Sequence, residues 1–169
     1  TPLYSSAASD VYKRQTVVLD ASVTLAWLLG RADARESRLA DHLLEVAHDS
    51  RNAVPPIWYL EIANGMLRAA RSRIASDEQL ASFDQLLDRL PIYPDLSSAA
   101  FRIPPINLLA RRHALTAYDA SYLELALRNG GYLATFDRKL TDAAGACGVK
   151  VLGPVSYTHL RAHETLRYL

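Results

Sequence analysis

The sequence has one cysteine, Cys147, in 169 residues. A single thiol excludes an intrachain disulfide framework and a cysteine-rich zinc site, and it fits a reducing cytoplasm. Long apolar runs are missing too. The longest is broken by Asp20 and is too short to span a bilayer, so no membrane-bound role is expected. Charge of one sign is not in excess either. Lys and Arg number 19 against 18 Asp and Glu, for a formal net charge of +1. There is therefore no global basic field of the kind that draws polyanions. No GxSxG elbow surrounds Ser22 and no histidine is marked as its base, which removes the serine-hydrolase reading. Internal repeats, linkers and a second domain are also missing. Half of the residues are apolar, so disorder is excluded for most of the chain. The length suits one domain with a sizeable core.

The two ends differ from the rest. Residues 1–15 show no helix or strand period, and residues 156–169 follow the last strand-like run. DVYKRQ and VSYTHLRAHET resemble peptides translated from sequencing-adapter DNA, so both ends are expected to be non-native tails around a domain at 16–155. Setting aside Lys13, Arg14, Arg161, Arg167, Asp10 and Glu164 leaves 15 basic and 16 acidic residues. His159 and His163, although spaced i and i+4, are then not offered as metal ligands.

Within the body, short β-branched runs alternate with helical patterns. Thr16 to Leu19 predicts a strand, and Val23 to Leu29 a helix ending near Gly30. Ala34 to His48 is amphipathic. Ala53-Val54 predicts a second strand closed by Pro55-Pro56, which suits the start of a helix. That helix, Ile57 to Arg73, is expected to turn Leu60, Ala63, Leu67 and Ala70 inward. Ser76 to Gln79 reads as a capping box opening a helix to about Arg89. Ile92-Tyr93 is a brief strand. Ser97 to Arg102 looks helical, and Pro104-Pro105 is expected to interrupt before Ile106 to His113. Tyr118 to Asn129 is a helix, Tyr132 to Thr135 a strand, Arg138 to Ala146 a helix and Val149 to Leu152 the last strand. This alternation argues for a parallel sheet covered by helices on both faces.

Four carboxylates sit at comparable places: Asp20 after the first strand, Glu61 one turn into the helix after Pro55-Pro56, Asp119 where a later helix opens, and Asp137 after the strand Tyr132 to Thr135. Taken singly, each aspartate also fits a helix N-cap, and Glu61 an exposed helix position. Taken together they point elsewhere, because a doubly wound sheet gathers the carboxyl ends of its strands. Clustered carboxylates repel unless a cation is present. Oxygen donors suit Mg²⁺ or Mn²⁺, which can activate water at a phosphodiester, above all as a pair about 4 Å apart. On the Glu61 helix, Asn64 at i+3 and Arg68 at i+7 share its face. Asn64 could steady a carboxylate or a water. Arg68, Arg71, Arg73, Arg111, Arg112, Arg138 and Lys139 could meet phosphate oxygens; Arg138, beside Asp137 at a helix start, is the strongest of them. Tyr59 and Trp58 could stack on bases, although the tryptophan suits a core or subunit interface better.

The segments VVLDASVTLAWLL, VPPIWYLEIANGMLRAARSRI, LARRHALTAYDASYLELALRNGGYLATFDRKL and GVKVLG together resemble the PIN-domain ribonucleases of the VapC toxin type. The resemblance implies an α/β/α sandwich with a central parallel sheet and an Mg²⁺- or Mn²⁺-dependent endoribonuclease. Its acids would be Asp20, Glu61, Asp119 and Asp137, and Ser22 and Thr135 would support them. It also implies an RNA substrate cut by metal-activated water, a small antitoxin partner and a homodimer. The segment 101–106, with its two prolines, departs from the family's smooth helix. Two other readings compete. A phosphoacceptor domain would place an acid pair after the first strand and a lysine in a late loop, whereas Asp20 stands alone and Lys150 lies within a strand. A non-catalytic PIN-fold module holding RNA or an antitoxin would have no need of all four acids.

Overall fold

The computed structural model describes residues 16–153. The two expected tails, the last two residues of the expected domain, His159 and His163 lie outside those residues. The described chain runs β1 (Thr16–Leu19), α1 (Ala21–Leu29), α2 (Ala34–Asp49), β2 (Arg51–Val54), α3 (Ile57–Arg71), α4 (Asp77–Arg89), β3 (Ile92–Pro94), a 3-10 turn (Ser98–Phe101), α5 (Ile103–His113), α6 (Ala117–Asn129), β4 (Tyr132–Ala134), α7 (Arg138–Ala146) and β5 (Lys150–Leu152). The strands form one parallel sheet in the order β3-β2-β1-β4-β5. Helices lie on both of its faces, making a three-layer α/β/α sandwich.

β1 is the central strand, with Val18 in register with Ala53 of β2 and Leu133 of β4. Val17, Val18 and Leu19 are all at most 1% exposed. An unbroken apolar run is what a strand covered on both faces requires. Complete burial of each such side chain contributes about 1.5–3 kcal/mol. The sheet therefore holds the end of β1, and the acid after it, on its most buried strand.

Local signals act where they were expected. Gly30 ends α1 at φ 69° and ψ −178°, a combination closed to residues with a Cβ. Ser76 and Gln79 close both halves of the capping box. The prolines at 104 and 105 behave differently from expectation. They do not interrupt a helix but sit in the first turn of α5, which starts at Ile103. The first backbone N–H groups of a helix have no intrahelical acceptor, so proline loses nothing there. The helix expected over Ser97 to Arg102 is only the short 3-10 turn.

The inward face of α3 is also corrected. Leu60 is 67% and Leu67 50% exposed, whereas Trp58, Ile62, Gly65 and Ala69 are buried. The reason is the approach of α1. A Cβ at Gly65 would stand 2.5 Å from Leu25 Cδ2, so the glycine lets the Leu25 side chain of α1 lie close against this row of α3. This rotation of α3 also sets the direction of its acid. Glu61 lies three residues after Trp58 and four before Gly65, on the edge of the buried row.

Candidate active site

Asp20 takes the N-cap position of α1 with extended backbone, but its side chain makes no cap hydrogen bond. Its Oδ2 instead accepts from the Ser22 hydroxyl and, at 2.6 Å, from Thr135 Oγ1. Asp20 is 6% exposed. Burial pushes its carboxyl above the usual carboxylate range; the Ser22 and Thr135 hydroxyls oppose that shift, and Asp119 nearby adds to it.

The two hydroxyls are themselves tied to the loop after β4. Ser22 Oγ accepts from the Phe136 N–H at 3.0 Å, and Thr135 Oγ1 accepts from the Asp137 N–H at 2.9 Å. Each hydroxyl thus donates to Asp20 and accepts from the backbone. Thr135 is fully buried, so its hydroxyl could not lose either partner without leaving a polar group unsatisfied.

Glu61 is half-buried on α3. Its Oε2 accepts from the phenol of Tyr122 on α6, 61 residues away in sequence. Burial raises the Glu61 carboxyl; the Tyr122 hydrogen bond works against this, and Asp20 and Asp119 raise it further. Asp119 is the third residue of α6. The N-cap of that helix is Thr116, whose Oγ1 accepts from the Asp119 N–H at 3.1 Å and donates to Asp119 Oδ2 at 2.7 Å. Asp20, Glu61 and Asp119, from three separate elements, therefore form one mutually repelling set at the carboxyl edge of the sheet.

Asp137 is placed differently. It is the N-cap of α7, and its Oδ1 accepts from the Leu140 N–H at 2.7 Å. It reaches the other acids through its backbone bond to Thr135. For this residue the capping role read from the sequence is present.

Among the described residues, no lysine or arginine pairs with any of these four acids. Within the described residues, no three Asp, Glu, His or Cys side chains are drawn close enough to enclose an ion on their own. The donor set is nonetheless all oxygen and doubly repelled. It fits an ion that keeps several of its waters and takes only a few carboxylates, as Mg²⁺ does.

The other expected residues lie on the surface. Asn64 and Arg68 are exposed on α3, and Arg138 is exposed in the first turn of α7. Arg71, Arg73, Arg111, Arg112 and Lys139 are exposed as well. Trp58 is 2% exposed and donates to Thr24 Oγ1 at 3.3 Å, so it belongs to the core and not to a stacking surface. Tyr59 stays 46% exposed against its edge. Sequence reasoning passed over Tyr122. Its signal in the sequence was its place three residues after Asp119, on one helix face.

The PIN domain family profile matches residues 17–146. The chain is 33% identical over 141 residues to the VapC ribonuclease Mb0985 of Mycobacterium bovis, an alignment covering 80% of this chain and 98% of that protein. The match to ribonuclease VapC9 of Mycobacterium tuberculosis has the same identity and coverage. In structure the chain resembles the crystal structure of PAE2754 from Pyrobaculum aerophilum, with a TM-score of 0.58 and 22% identity over 83% of this chain and 85% of that one, a likeness of fold.

Proposed function

The chain belongs to the PIN-domain family, with VapC ribonucleases among its relatives, and from that premise we propose that it is a divalent-metal-dependent endoribonuclease. The observation that carries the reading is the convergence of Asp20, Glu61 and Asp119 with no cation of the described chain set against them. A binding module would gain nothing from that repulsion. A bound ion removes it.

In this reading Asp20 and Asp119 are the central ligands of Mg²⁺ or Mn²⁺, with Glu61 and Asp137 flanking. The ion supplies Lewis-acid charge and an activated water at the phosphodiester. The protein's own groups prepare the site. Ser22 and Thr135 fix the rotamer of Asp20, and the buried β1 keeps it from moving. Asn64, three residues after Glu61 on the same helix, steadies a water of the ion. Arg138 and Arg68 hold phosphates of the RNA strand, fixing its position without reading bases.

We propose further, from membership of this family, that the chain is the toxin of a toxin–antitoxin pair, with a small antitoxin as partner and a homodimer as its form. The deciding experiment is cleavage of RNA by the full chain in Mg²⁺ or Mn²⁺, with and without EDTA, beside the Asp20→Asn variant. Cleavage that persists in EDTA, or full activity of the variant, overturns the proposal.

A further inference from the structure

Tyr122 is as buried as any residue of the core, yet its hydroxyl is given to a carboxylate. A phenol buried only for packing is satisfied by a neutral carbonyl, which brings no charge into the interior. Here the acceptor is Glu61, already repelled by Asp20 and Asp119. Its helix α6 packs against β1, the strand that leads to Asp20, and Tyr122 shares a face of α6 with Asp119 three residues earlier. It touches Oε2 alone; Oε1 has no hydrogen bond among the described residues.

We propose that Tyr122 is a positioning residue: its hydroxyl clamps one oxygen of Glu61, so that the carboxylate stays turned toward Asp20 and Asp119 as a ready-made ligand. The proposal rests on the reading of these acids as a divalent-ion site. Glu61 sits on a long, flexible side chain on a helix whose outer face is solvent. Without the clamp, no other hydrogen bond or ion pair among the described residues holds it beside two like charges. An outer hydrogen-bonding partner of this kind typically accounts for about 10–100-fold in metal affinity.

The test is Mn²⁺ binding by the full-length chain, measured by titration calorimetry and by the free-Mn²⁺ paramagnetic resonance signal. Tyr122→Phe is expected to bind about 10–100-fold more weakly with an unchanged circular dichroism spectrum. In a Glu61→Gln background, Tyr122→Phe is expected to add no further loss, which a general structural role would not produce. Replacement of Tyr122 by 4-aminophenylalanine restores a donor and is expected to restore affinity. That variant also carries the test if Tyr122→Phe does not fold: affinity like the wild type supports the proposal, and a tenfold loss overturns it. Wild-type affinity in Tyr122→Phe, or an equal loss with and without Glu61, overturns it too. Asp20→Asn separates the two levels. If it abolishes Mn²⁺ binding while Tyr122→Phe has no effect, only the positioning role fails. If the wild type and Asp20→Asn are alike, the ion site fails and the positioning role with it.

Discussion

Thr135 Oγ1 donates a 2.6 Å hydrogen bond to Asp20 Oδ2, joining residues 115 apart in sequence where β1 and β4 end side by side. The same oxygen accepts from the Asp137 N–H. One hydroxyl thereby sets the direction of the buried acid and the start of α7. Thr135→Val is expected to destabilise the fold by about 2 kcal/mol, since it strands a buried donor and an acceptor. Thr135→Ser keeps the hydroxyl and is expected to retain more of the stability and the cleavage rate. Urea unfolding and RNA cleavage of the two variants check this.

Asp20→Asn is expected to lower metal-dependent cleavage by more than the roughly 100-fold that loss of an outer-shell partner can cost. Its effect on stability has the opposite sign. The folded carboxyl titrates above its unfolded value near 3.8. The stability it contributes is therefore complete below that value and is lost as pH rises through the folded pKa. Asparagine mimics the neutral form and keeps that contribution. In EDTA at pH 7 the variant is expected to melt above the wild type, by about 3 °C for each kcal/mol regained, and the gap should close toward pH 4. Thermal melts from pH 4 to 8 decide it.

Metal affinity should follow the same groups. Asp20 and Glu61 both titrate above the ordinary range and must lose their protons to bind an ion. Mn²⁺ affinity is expected to rise as pH rises above the ordinary carboxylate range, and binding to release protons, which calorimetry in buffers of different ionisation enthalpy measures.

Two glycines distinguish a close approach from an open position. A Cβ at Gly131 would stand 2.4 Å from the Thr16 carbonyl oxygen, a backbone atom that cannot turn aside. Gly131→Ala is expected to destabilise the β1–β4 pair by about 3 kcal/mol or more, at the upper end of overpacking costs. Gly145, within α7, has nothing within 4 Å, so Gly145→Ala is expected to stabilise by about 0.5–1 kcal/mol. Chemical denaturation of the pair tests the contrast.

Arg138 is exposed and has no described ion pair. Arg138→Ala is expected to leave the melting temperature unchanged and to raise KM without lowering kcat. The logarithmic salt dependence of RNA binding should flatten by about 0.7, the share of one phosphate that the variant no longer neutralises. Binding titrations from 50 to 200 mM salt read this out.

Much of this molecule is written locally. The apolar run of β1, the capping box at Ser76, the stop at Gly30 and the chain positions of the four acids follow from side-chain period and from hydrogen bonds within a few residues. The sequence alone therefore determined the parallel α/β class and where along the chain the four acids fall. It did not determine which way they face. The sequence offers two apolar rows on α3, and in the packed structure the row of Trp58, Ile62, Gly65 and Ala69, which Glu61 borders, is the one buried. Asp20 and Asp137 look alike as helix starts, yet one is drawn to Ser22 and Thr135 while the other caps α7. Tyr122 meets Glu61 only after α3 and α6 are docked. Those choices belong to the tertiary structure because each depends on register and helix rotation between segments distant in sequence, where local propensity carries no information.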